Sequence, residues 1–173
     1  AKFEENVLAS IEKLAADGDE ERRLLADVRE AGDQLVEALT NHEASGEVIL
    51  AGSARRWAET CKDIDIVATA DDPVALSAAL AAHPLVAVSG NPGANGLHGR
   101  THNGIALDLR IVPPDELGNL LQHFTGSKEH NVKLRERAVR MGLSVSEHGV
   151  ADTESGDVLK CGDESAVYER LGL

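Results

Sequence analysis

Aromatic side chains are almost missing from this sequence, with two Phe, one Tyr and one Trp in 173 residues. A core must therefore be built from Ala, Leu and Val. Apolar residues make up 42% of the chain, enough for one domain or two small ones. Cysteine is equally scarce. Cys61 and Cys161 cannot form a disulfide scaffold and show no metal-ligand spacing, which points to a reducing, cytoplasmic protein. No run reaches the roughly 20 apolar residues of a membrane span, and the opening AKFEENV lacks the apolar core of a signal peptide. A monomer with no membrane partner is expected.

Positive charge is also short, with 17 Lys and Arg against 30 Asp and Glu, for a net charge of −13. That excludes a generic nucleic-acid binder, because phosphate contacts need cations. The distribution matters more than the sum. Residues 1–50 hold 13 acidic and 5 basic side chains, patterned as solvated helix faces. Residues 121–140 reverse the sign, setting Lys128, Lys133, Arg135, Arg137 and Arg140 against Glu129 and Glu136. DNA contact, if any, is predicted to be local.

Hydrophobic spacing predicts helices over 3–16 and 20–40, then a buried strand over 46–50 that enters a turn at Gly52-Ser53. Residues 53–58 read as a short helix and 63–69 as a half-buried strand. Asp72 and Pro73 read as an N-cap and first helical residue, opening a helix to about Ala82. A short strand over 86–88 and a loop at 90–96 follow. Strands over 97–102 and 105–112 are expected to join through a two-residue Asn103-Gly104 hairpin turn. Pro113-Pro114 marks a subdomain boundary. Beyond it lie helices over 115–141 broken near 125–127, then short strands and a last helix over 164–170. The fold class is α+β, or mixed α/β, with a mixed, mostly antiparallel sheet flanked by helices and a small helical and β subdomain after it.

The chemistry-bearing pattern begins with Asp63-Ile64-Asp65. Residues two apart on a strand share a face, so the two carboxylates converge while Ile64 points into the core. Adjacent carboxylates repel unless a cation lies between them, and hard oxygen ligands suit Mg²⁺. Asp108, in the alternating run 106–110, adds a third carboxylate if its strand lies alongside, giving a two-metal site for displacement at phosphorus. The Gly52-Ser53 turn allows close backbone approach to a phosphate, and Arg55 or Arg56 can neutralise triphosphate charge. Taken singly, each piece has an ordinary reading: a solvated strand face, a turn, a surface arginine pair. Their fixed spacing points to a nucleotidyltransferase.

The stretches AGSARRWAETCKDIDIV at 51–67, LDLRIVPP at 107–114 and QHFTGSKEHNVKLRERAVRMGL at 122–143 resemble the palm and thumb of family-X DNA polymerases, the family of polymerase beta. The resemblance covers essentially the whole chain and implies a linker helix at 1–21, a nucleotidyltransferase palm at 22–113 and a thumb at 114–173. EENVLASIEKL resembles the link from a helix-hairpin-helix DNA-binding region. SAVYERLGL resembles the join into a C-terminal PHP phosphoesterase domain. Both are expected as partners outside this chain.

The resemblance implies a template-directed, gap-filling repair polymerase that uses two Mg²⁺ ions, with Mn²⁺ as an alternative. Its substrates are a deoxynucleoside triphosphate and gapped or primed DNA. It implies that Asp63, Asp65 and Asp108 are catalytic and hold the metals. Gly52, Ser53 and Arg56 meet the triphosphate, with Arg22 or Arg23 a further contact. His123, Phe124 and Gly126 meet the sugar, Asn131 the minor-groove edge of the incoming base, and Arg135, Lys128 and Lys133 the DNA.

The chain departs from the polymerase beta pattern at Cys61, Lys62 and His123. At Trp57 it has a large ring in place of a small residue, expected to pack over the core or cover the helix rather than to stack on a base. The other histidines have no metal-ligand spacing and are expected to be surface or locally bonded. Two alternatives stay open: a nucleotidyltransferase acting on a small molecule or tRNA, and a catalytically weak nucleotide-binding fragment.

Overall fold

The computed structural model describes residues 22–173. The helix expected at 3–16 and the linker helix at 1–21 lie outside them. Helix α1 (Leu25–Thr40) buries Val28, Gly32, Leu35 and Leu39, the three- and four-residue spacing of a single helical stripe. It starts later than the expected residue 20. Arg23–Leu24 instead form a short strand, β1, antiparallel to β3 (Thr60–Cys61), a pairing with no periodic signal in the sequence. Gly32 lets α1 approach β2 (Ser45–Leu50); a Cβ there would stand 2.9 Å from Leu50 Cδ1.

Five strands form the main sheet in the order β2, β4 (Asp63–Ala70), β7 (Ala106–Ile111), β6 (Gly96–Thr101), β5 (Val86–Ser89). β4 and β7 run parallel, and the other pairings are antiparallel, so the sheet is mixed and mostly antiparallel as expected. Between β2 and β4 the chain forms the four-residue helix α2 (Gly52–Arg55). Asp72 caps α3 (Pro73–Ala81) by accepting from Ala75 N, with Pro73 at its first turn. The β6–β7 hairpin turns over three residues, 102–104, rather than the expected two. Thr101 N donates to Ile105 O, Gly104 N donates to Thr101 O, and Gly104 takes φ +80°. A left-handed residue at the third loop position selects this longer turn.

The sheet is covered differently on its two faces. Ile64, Ile66, Leu107 and Leu109 face α1 and α3 and complete the principal core with Leu35, Leu39, Leu76 and Leu80. Val67 and Ala51 pack on the other face against Leu117, Leu120 and Leu121 of α4 (Leu117–Thr125). A third cluster joins α5 (Lys128–Arg140), the sheet β8 (Leu143–Ser146), β9 (Gly149–Asp152) and β10 (Val158–Leu159), and α6 (Glu164–Arg170). It is built from Leu134, Ala138, Val145, Val150, Val167 and Leu171. No described helix is long and apolar enough to cross a membrane.

Candidate active site

Alternation on β4 buries Ile64 and Ile66 and leaves Asp63 and Asp65 on the opposite face. On β7 the same alternation buries Leu107 and Leu109 and turns Asp108 outward. The parallel register pairs Asp65 directly with Asp108, and Asp63 with Ala106. All three expected carboxylates therefore share one face of two adjacent strands. Farther along β4 that face turns apolar at Val67, where α4 covers it.

Electrostatics agree with the crowding. Burial, then the charges of Asp63 and Asp108, push the Asp65 carboxyl up to about 7, against the pull of Arg56. Asp108 Oδ1 lies 3.1 Å from both His98 Nδ1 and Arg110 Nε, yet is aligned for a hydrogen bond with neither. The Arg110 Nε–H donates to Oδ2 at 3.3 Å. Among the described residues no group of three or more His, Cys, Asp or Glu side chains is drawn together closely enough to hold a metal ion by itself. A buried carboxylate held near charge neutrality by its neighbours, and an unsatisfied oxygen beside it, are what an open site for a hard cation presents. Carboxylate oxygens of this kind suit a hard divalent cation.

The Gly52 turn is built against these acids. Gly52 takes φ +62°, and a Cβ there would fall on the Asp65 carboxylate. Ala51 N donates to Asp65 O at 2.8 Å, fixing the turn to β4. Only glycine meets both demands. Ser53 follows in α2, half-buried.

The two arginines after it divide their roles. Arg55 donates through Nη1 and Nη2 to Glu164 at 2.9 and 2.7 Å and to Thr125 Oγ1 at 2.9 Å, tying α2 to α4 and α6. Arg56 donates to the carbonyl of Thr125 and lines a hollow of about 380 Å³ with His123, Phe124, Gly126, Ser127, Lys128, Asn131, Val132 and Arg135. Arg56 is thus the arginine open to a ligand.

The same hollow gathers most of the remaining expected residues. α4 ends at Thr125, Gly126 takes φ +62°, and Ser127 caps α5 by accepting from His130 N. Asn131 and Arg135, one turn apart on α5, then point back at the end of α4. Asn131 Nδ2 donates to His123 O at 2.7 Å, and Gln122 Nε2 donates to Asn131 Oδ1 at 2.8 Å. Arg135 Nη2 stands 3.4 Å from His123 Nδ1. Burial holds the His123 imidazole below its ordinary value although Glu147 pulls the other way. A neutral ring can accept from Arg135. Lys133 does not line the hollow.

Sequence reasoning missed Gln122, the buried residue that orients Asn131; its one signal was a polar residue inside the apolar run 117–124. It also passed over Arg110, whose guanidinium lies 5.6 Å above the Phe124 ring while engaging Asp108. Trp57 does not pack over a core as one reading expected. It is 68% exposed and outside the cores, and its ring instead lies against helix α1, with Arg29 over it at 4.6 Å. A left-handed backbone, φ +57°, turns it out from the sheet.

The chain is similar in sequence to known proteins. The DNA polymerase beta thumb family matches residues 120–173. The DNA polymerase/3′-5′ exonuclease PolX of Bacillus subtilis is 34% identical over 126 residues, covering 71% of this chain and 22% of that protein. DNA polymerase lambda of Rattus norvegicus is 28% identical over 159 residues, covering 72% of this chain and 27% of that protein. The chain thus spans about a quarter of the length of these relatives.

Proposed function

The chain belongs to the family-X, polymerase beta-like DNA polymerases, and from that premise we propose that it carries a template-directed, gap-filling nucleotidyl transfer. In that reaction the primer 3′ oxygen bonds to the α-phosphorus of a deoxynucleoside triphosphate. The bond from that phosphorus to the bridging oxygen breaks, and pyrophosphate leaves. The observation that carries the reading is the register pairing of Asp65 with Asp108, with Asp63 on the same face.

Asp63, Asp65 and Asp108 would hold two Mg²⁺ ions, or Mn²⁺, with Asp108 on the catalytic one. Such ions would supply a lowered pKa for the 3′-hydroxyl and charge neutralisation for the pyrophosphate. The protein's own groups do the rest. Ser53 and Arg56 hold the triphosphate, with Lys62 and Arg22 or Arg23 adding charge at its edge. His123, Phe124 and Gly126 seat the sugar. Asn131, oriented by Gln122, reads the minor-groove edge of the incoming base, Arg135 holds the template strand, and Lys128 and Lys133 contact the DNA. Gapped DNA is the proposed partner, together with DNA-binding and PHP phosphoesterase domains of a longer polypeptide.

The test is template choice. On 5′-phosphorylated DNA with a one-nucleotide gap, the nucleotide added should change with the templating base. Untemplated addition, or transfer to a tRNA end in preference to DNA, would instead assign the site to another nucleotidyltransferase reaction.

A further inference from the structure

Trp57 is the single tryptophan of the chain, and two-thirds of it faces solvent. Among the described residues it is the one non-glycine with positive φ. A bulky side chain is strained there and glycine is not. Neither core packing nor backbone geometry accounts for a large aromatic at this position.

The ring is nonetheless held in place. Arg29 lays its guanidinium over it at 4.6 Å, and Asp33, one helical turn on, fixes that guanidinium at 3.0 and 3.2 Å. The β1–β3 pairing sets Leu24 opposite Thr60, and Arg22 donates to Thr60, so residues 22–29 and 56–62 form a single surface. Around the ring that surface carries Arg22, Arg29, Arg56 and Lys62 against Asp27, Asp33 and Glu59, a small local excess of cations on a chain of charge −13. Leu24 on it is 63% exposed.

An exposed π-face flanked by guanidinium groups suits one class of ligand better than others. Cations attract phosphates, and an indole stacks on any nucleobase that is not already paired. We propose that Trp57, organised by Arg29, is a stacking platform for an unpaired base of single-stranded DNA. The ring and Arg29 lie apart from the carboxylate face, while Arg22, Arg56 and Lys62 beside them are shared with the proposed triphosphate site; stacking itself needs neither metal nor triphosphate.

Because the chain has a single tryptophan, its emission reports this ring directly. The whole chain is titrated in chelator at low salt with a labelled thymidylate octamer and with an abasic octamer of equal charge. Anisotropy of the label reports binding and Trp57 emission reports stacking. Thymidylate should quench the emission strongly, and the abasic strand should scarcely change it. Trp57→Gly, which releases the left-handed strain and keeps the fold, should melt no lower than wild type and bind thymidylate about tenfold more weakly. Its affinity for the abasic strand should not change. Equal quenching by both strands, saturation without quenching, failure to bind, or unaltered affinity in Trp57→Gly would each overturn the proposal. So would emission that changes with protein concentration alone, which would make the surface a contact between copies. None of these results bears on the metal-dependent reaction, which is measured separately.

Discussion

Asp65 and Asp108 stand directly opposite each other in the one parallel pairing of the five-stranded sheet, with Asp63 one pleat away on the same face. A one-residue slip would bury the acids and expose the isoleucines. Core packing of Ile64, Ile66, Leu107 and Leu109 therefore enforces the geometry of the site.

Asp65 should make a contribution to the stability of the metal-free protein that declines as pH rises. The Asp65 carboxyl titrates near 7 when folded, against an ordinary 3.8. The folded chain therefore keeps a proton that the unfolded chain releases. Its stabilising contribution is full below about pH 4 and is gone above about pH 7. Thermal melts in chelator should show the decline, and Asp65→Asn should flatten it. A melting temperature that rises across this window through Asp65 would contradict the crowding described above.

Asp108→Ala should reduce nucleotidyl transfer at least about 100-fold while changing stability by no more than about 1 kcal/mol. The carboxylate removed is unsatisfied at one oxygen, and its partner Arg110 is open to water on losing it. Single-turnover kinetics beside a denaturant titration would separate the two effects.

Gly52→Ala should be costly to both fold and site. The left-handed backbone alone costs roughly 1–3 kcal/mol, and the methyl group must displace Asp65 besides. Denaturant unfolding and metal-dependent triphosphate binding should fall together.

Arg55→Ala should destabilise the chain by roughly 1–3 kcal/mol through loss of a bidentate pair joining α2 to α6. Arg55→Lys should recover little, because an ammonium cannot match the fork of bonds to Glu164. A double-mutant cycle with Glu164→Ala measures the coupling.

Much of this site could be read from sequence because its determinants are local. Two-residue alternation placed Asp63, Asp65 and Asp108 on one side of their strands, and the Asp72-Pro73 cap announced α3. What escaped depends on partners distant in the chain. Arg23 and Leu24 form a strand only because Thr60 and Cys61 lie beside them. Arg55 and Arg56 look alike in sequence, and only the approach of Glu164 commits Arg55 to structure and leaves Arg56 to the ligand hollow. Trp57 misled for a related reason. Apolar composition predicts burial, but its left-handed backbone turns the ring outward onto Arg29.

If the acids of β4 and β7 bind divalent metal for templated transfer, primer extension on one-nucleotide-gapped DNA, titrated with Mg²⁺ and Mn²⁺ for wild type and Asp63→Ala, will show it. Extension should require metal, follow the template base and disappear in Asp63→Ala. Extension that survives in chelator, or that Asp63→Ala leaves intact, would contradict it.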